Sequence, residues 1–86
     1  RESIEAYIKR LKELEETAKS FDGVHRAFAI SAGREIRVYV DTDKINDLEQ
    51  EKLAKGIAEK IENELTYPGV IKVNVIRERR VVHQAT

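Results

Sequence analysis

The stretch VHRAFAISAGREIRVYV, residues 24–40, decides the fold. Its second half, REIRVYV, alternates strictly, with Ile36, Val38 and Val40 on one face and polar residues on the other, the pattern of a strand with one wet side. Its first half, VHRAFAI, has apolar residues of both parities and predicts a strand covered on both sides, with Phe28 in the core and Tyr39 as the aromatic left on an exposed strand face. Ser31, Ala32 and Gly33 separate the halves, and a three-residue connection containing Gly reads as a β-hairpin turn. The two strands, residues 24–30 and 34–40, therefore pair antiparallel.

Outward from this hairpin, Ile4, Tyr7, Ile8, Leu11, Leu14, Ala18 and Phe21 recur at spacings of three and four, which predicts an amphipathic helix over residues 3–20. Ser3 is its expected N-cap and Gly23 its exit. On the other side, residues 41–47 form a polar connection in which Asn46 or Asp47 caps a second helix and Glu49 or Gln50 completes a capping box. Leu53, Ala54, Ile57, Ala58, Ile61 and Leu65 trace that helix. Gly56 in its middle is unfavourable by about 1 kcal/mol relative to Ala, so a close neighbour is expected there. Thr66, Tyr67, Pro68 and Gly69 stop the helix, and a third strand spans residues 70–76 with an extension through Val81 and Val82.

The order is α-β-β-α-β, an α+β fold. A strand–helix–strand crossover between parallel strands, together with the apparent two-sided burial of the first strand, predicts a three-stranded mixed sheet of order 2-1-3, a split βαβ with both helices on one face. The 86 residues make one domain, 1–86, and a chain this small has little room for an enclosed active-site cavity.

Composition removes most chemistry. Without cysteine there is no disulfide framework, thiolate metal site or thiol nucleophile. His25 and His83 are the only imidazoles, in no metal-ligand or catalytic spacing. The loop beginning Asp41-Thr42-Asp43 starts like a calcium loop, but Asn46 stands where glycine belongs and Lys52 where the final glutamate belongs, so it reads as a helix-capping loop. No G-x-x-G clamp is present, and 16 Lys+Arg against 16 Asp+Glu give no excess for a strong nonspecific grip on nucleic acid. The basic character that remains lies in Lys72, Arg77, Arg79 and Arg80, with Arg26, Arg34 and Arg37 nearby on the expected sheet. These read first as a charged edge strand that resists aggregation, and alternatively as an RNA contact. Ala27, Ala29, Val70 and Ile76 are expected to form an apolar patch on the helix-free sheet face, a surface for self-association.

Residues 1–24, FAISAGREIRVYV at 28–40 and IENELTYPGVIKVNVIRERRVV at 61–82 together resemble the C-terminal end of bacterial ribonuclease Y, most specifically through AGREIR and YPG-x-IKV-x-VIRE. The resemblance implies a segment of a longer endoribonuclease of mRNA decay, with a membrane anchor, a coiled coil, a KH domain and a metal-dependent HD domain outside these residues, and with Arg1 near the HD junction. It implies a cytoplasmic domain of a protein held at the inner face of the bacterial membrane. No residue here matches the KH clamp or the HD metal site, so the expectation is a noncatalytic domain with no cofactor, the divalent metal belonging to the HD module. Its expected role is assembly: a homodimer, docking on other domains of the parent, or on a degradation partner protein. Auxiliary binding of single-stranded RNA is the alternative.

Overall fold

The computed structural model describes residues 3–67 and 69–86. Helix α1 (Ile4–Lys19) leads into strand β1 (Val24–Ile30), a 3₁₀ turn (Ser31–Gly33), strand β2 (Glu35–Asp41), helix α2 (Asp47–Glu64) and strand β3 (Lys72–Glu78). The fold is α+β, as the element order predicts. Arg1 and Pro68, read from sequence as a junction and a helix stop, lie outside the described residues.

The caps form as read. Ser3 Oγ accepts the Ala6 amide at 3.1 Å, and Asn46 and Glu49 make a reciprocal capping box, with the Glu49 amide 2.8 Å from Asn46 Oδ1 and the Asn46 amide 3.0 Å from Glu49 Oε1. The Asp41 loop is a turn: its carbonyl accepts from Lys44 and Ile45, and its carboxylate accepts from the Asp43 amide. Gly56 sits against Phe21, whose ring carbon Cε2 would stand 3.2 Å from an added Cβ, so the expected close neighbour is the aromatic residue just beyond α1.

The strand order is β1-β2-β3, not 2-1-3. β2 is the central strand, antiparallel to β1 and parallel to β3. Two features account for the difference. A right-handed β-α-β crossover joins adjacent parallel strands through its helix and needs no strand between them, so α2 carries the chain directly from β2 to its neighbour β3. The mixed parity of β1 has two sources other than two-sided burial: a bulge, where the register shifts between Val24, opposite Val40, and Arg26, opposite Tyr39, and the apolar side chains of Phe28 and Ile30 on the face the helices leave open. Past the bulge, Ala27 and Ala29 turn toward the helices while Arg26, Phe28 and Ile30 turn away. Strict alternation in β2 reports one covered and one open face, which holds for a central strand of any one-sided sheet.

One face of the sheet is packed. Leu14 and Ala18 of α1 and Ile57 and Ile61 of α2 bury against Ala27, Ile36, Val38 and Val40, all at most 5% exposed. Ala29, Val73 and Val75 extend this face in register. The first turns of α1 run past it and leave Ile4 and Ile8 78% and 46% exposed. Each sheet edge is met by a helix side chain: Glu15 Oε2 accepts the Ala29 amide at 2.9 Å on β1, and Gln50 Nε2 donates to the Val75 carbonyl at 2.7 Å on β3. These two bonds occupy backbone groups that an edge would otherwise offer to another chain. β3 ends at Glu78, short of the extension to Val82, and residues 79–86 are exposed without regular structure.

Candidate functional site

The face of the sheet turned away from the helices carries, in register, Ile30, Glu35 and Lys72; then Phe28, Arg37 and Asn74; then Arg26, Tyr39 and Ile76; and finally Asp41 and Glu78. At its centre Phe28, 45% exposed, meets Tyr39 edge to face with ring centroids 6.1 Å apart. The Arg26 guanidinium stacks 4.5 Å from the Tyr39 centroid and 5.8 Å from that of Phe28. Its Nη2 also donates to both carboxylate oxygens of Glu78, at 2.8 and 2.9 Å. Arg26 reaches this face through the hairpin register, which keeps it in phase with Phe28 and Ile30, and the bulge beyond it returns Val24 to the helix side.

A second ion pair flanks the ring cluster. Arg37 Nε donates to Glu35 Oε2 at 3.1 Å and the Asn74 amide to the same oxygen at 3.3 Å. The Asn74 bond first, and then the Arg37 bond, hold the Glu35 carboxyl below its ordinary pKa, so the pair stays charged into mildly acidic solution. The face thus has an apolar middle of Phe28, Tyr39, Ile30 and Ile76, framed by three cations and three carboxylates.

The basic residues singled out from sequence do not converge. Arg37 and Lys72 are on the open face. Arg34 lies on the helix side, where with Tyr7, Arg10 and Tyr67 it lines a cleft of about 250 Å³. Arg77 is opposite Val40 on the packed face; its guanidinium donates to the Ile45 carbonyl at 3.2 Å and to the Asp47 carboxylate, pinning the start of α2 to β3. Arg79 and Arg80 follow β3, and Arg80 Nη2 stands 3.8 Å from Glu78.

The apolar patch is also corrected. Ala27 is 1% exposed in the core and Ala29 packs beside it, because the hairpin register sends both under α1. Ile76 is on the open face as expected, while Val70, 91% exposed, precedes β3. Phe28, expected in the core, is instead the centre of the open face. The three-residue loop read from the sequence sets Ile30 opposite Arg34 and Phe28 opposite Ile36, whereas the strands close over residues 31–34 with Ile30 opposite Glu35 and Phe28 opposite Arg37.

Among the described residues no group of three His, Cys, Asp or Glu side chains is placed to hold a metal ion, and no helix is long and apolar enough to cross a membrane. His25 is on the exposed bulge with Nε2 3.9 Å from Glu78.

No family model and no solved structure matches the chain. Curated relatives do. Ribonuclease Y of Desulforudis audaxviator is 61% identical over 85 residues, covering 99% of the chain and 17% of the relative. Ribonuclease Y of Thermotoga maritima is 64% identical, again over 99% of the chain and 17% of the relative. Ribonuclease Y of Bacillus subtilis is 56% identical over 84 residues, 98% of the chain and 16% of the relative. The chain spans about one sixth of the length of the relatives it matches, and over nearly its whole extent it belongs, as a segment, to the ribonuclease Y family.

Proposed function

We propose that this segment is a noncatalytic protein-docking module of a ribonuclease Y-type endoribonuclease, and that it docks through the open face of its sheet. The observation that carries the reading is the uncovered cluster of Arg26, Phe28 and Tyr39 framed by paired charges. Tyr, Phe and Arg are residue types that dominate protein–protein hot spots, and apolar centres with polar rims are how such interfaces are built. Three cations balanced by three carboxylates leave no excess to neutralise phosphates. The Tyr39 ring, which a nucleobase would need for stacking, already holds the Arg26 guanidinium.

In this reading metal-dependent RNA cleavage in mRNA decay belongs to the rest of the protein, and the segment works on the cytoplasmic side of a membrane-anchored parent. Its partner is another domain of the parent or a degradation protein. Auxiliary binding of single-stranded RNA is the second reading, for which the exposed Arg37 and Lys72 of this face are the observation.

The test is Phe28→Asp in an intact ribonuclease Y that carries this segment. Loss of a hot-spot aromatic is worth about 2 kcal/mol or more, roughly a 30-fold weakening of docking. The expected result is that weakening, with the turnover of a short single-stranded RNA unchanged. A fall in turnover with docking intact opposes the proposal, and salt-dependent RNA retention lost from an Arg37→Glu, Lys72→Glu variant favours the second reading.

A further inference from the structure

A second surface, on the helix side, pairs with a feature of the same chain. Between the end of α2 and the start of β3 runs a groove of about 280 Å³, walled by Ala58, Ile61, Leu65, Ile71 and Val73, with Glu62 on its rim. Val70 stands exposed at its mouth. The last turn of α2 contains no basic residue and ends Glu62-Asn63-Glu64, so two carboxylates add to the negative end of the helix dipole. The groove is therefore apolar within and anionic along one rim.

The segment after β3 has the opposite character. Arg79 and Arg80 precede Val81 and Val82, which are 65% and 80% exposed. A basic pair followed by two bare valines matches an anionic rim beside an apolar floor. Yet these valines cannot enter their own groove. They lie three and four residues past Glu78, a reach of at most about 10–14 Å. Val73 lies five residues back along the strand, about 16 Å, and Ile71 farther still, before any residues are spent on reversing direction.

We infer that residues 79–82 of one copy of this chain occupy the groove between α2 and β3 of a second copy, reciprocally, in a closed twofold dimer. Arg79 and Arg80 lie along the Glu62 and Glu64 rim, and Val81 and Val82 cover Leu65, Ile71 and Val73. The exchange is isologous, so both tails and both grooves are used and assembly stops at two copies. The groove is separate from the open sheet face, and the inference stands whether or not that face docks a partner.

The experiment is sedimentation of the 86-residue chain from about 10 μM to about 1 mM. The natural sequence should convert from monomer to dimer with rising concentration. Val81→Asp, Val82→Asp, made in an exposed segment, should raise the dissociation constant at least tenfold with an unchanged circular dichroism spectrum. Two further variants test the pairing itself: Glu62→Lys, Glu64→Lys alone and Arg79→Glu, Arg80→Glu alone should each be monomeric, and mixing them should restore a dimer because both tail–groove contacts are again of opposite charge. A natural chain that stays monomeric throughout, a tail variant that dimerises as the natural chain does, a mixture that fails to pair, or a species growing beyond two copies overturns the inference.

Discussion

Leu14→Ala should remove about 2–5 kcal/mol of stability, the range for deleting a buried leucine side chain and leaving its cavity. Leu14 is 0% exposed, in the core cluster that joins α1, α2 and the sheet. An 86-residue domain has roughly 4–13 kcal/mol to lose. The urea midpoint should therefore fall by a large fraction, and partly unfolded protein should be present at 37 °C. Ile8→Ala, on the same sequence stripe but 46% exposed, should cost far less. Similar midpoint losses for the two variants would mean that α1 packs along its whole length, contrary to the structure.

The second large effect is expected at the hairpin. Gly33 is buried with φ +82°, and a Cβ placed there would stand 2.7 Å from Leu11 Cδ2. Gly33→Ala must take up an unfavourable left-handed backbone and also displace the Leu11 side chain, so a loss of about 1–3 kcal/mol is expected. Ser31 and Ala32, at φ 53° and 56°, already hold positive φ without being glycine, so the turn has little tolerance left. Chemical denaturation of the purified variant measures this. A midpoint equal to that of the natural chain would show that the three-residue turn is not built as described.

What the sequence disclosed follows from which interactions are local. The helices, the Ser3 cap, the Asn46–Glu49 box and the turn at residues 31–33 each depend on residues a few positions apart, and each was legible. The strand order depends on how a crossover packs, and the parity of VHRAFAI had two explanations: burial on both faces, or a bulge at its start followed by apolar residues on an open face. The choice of the first moved β1 to the centre, put Phe28 inside, and put Ala27 and Ala29 outside. A three-residue loop also sets the register one residue off and pairs Phe28 with Ile36, whereas the loop of residues 31–34 pairs it with Arg37 and so turns Phe28 out and Ala27 and Ala29 in. Arg77 was illegible for a different reason. It looks like its neighbours Arg79 and Arg80, and its tie to Ile45 and Asp47 exists only once β3 has come alongside the start of α2. The same holds for Arg26, whose partners Tyr39 and Glu78 come from two other strands.

The open sheet face therefore owes its form to a hairpin register and a crossover acting together. It presents an aromatic pair with a stacked guanidinium in a setting of balanced charge, at the one surface of the sheet that the helices leave bare. Hydroxyl-radical footprinting of Phe28, Tyr39 and Ile76 puts its role to the most direct test, comparing the 86-residue chain alone with the same residues inside an intact ribonuclease Y assembled with its partners. Docking through this face predicts strong protection of all three side chains in the assembly, while the exposed Leu48 of α2 reacts equally in both. Equal reactivity of Phe28, Tyr39 and Ile76 in the two states would contradict it.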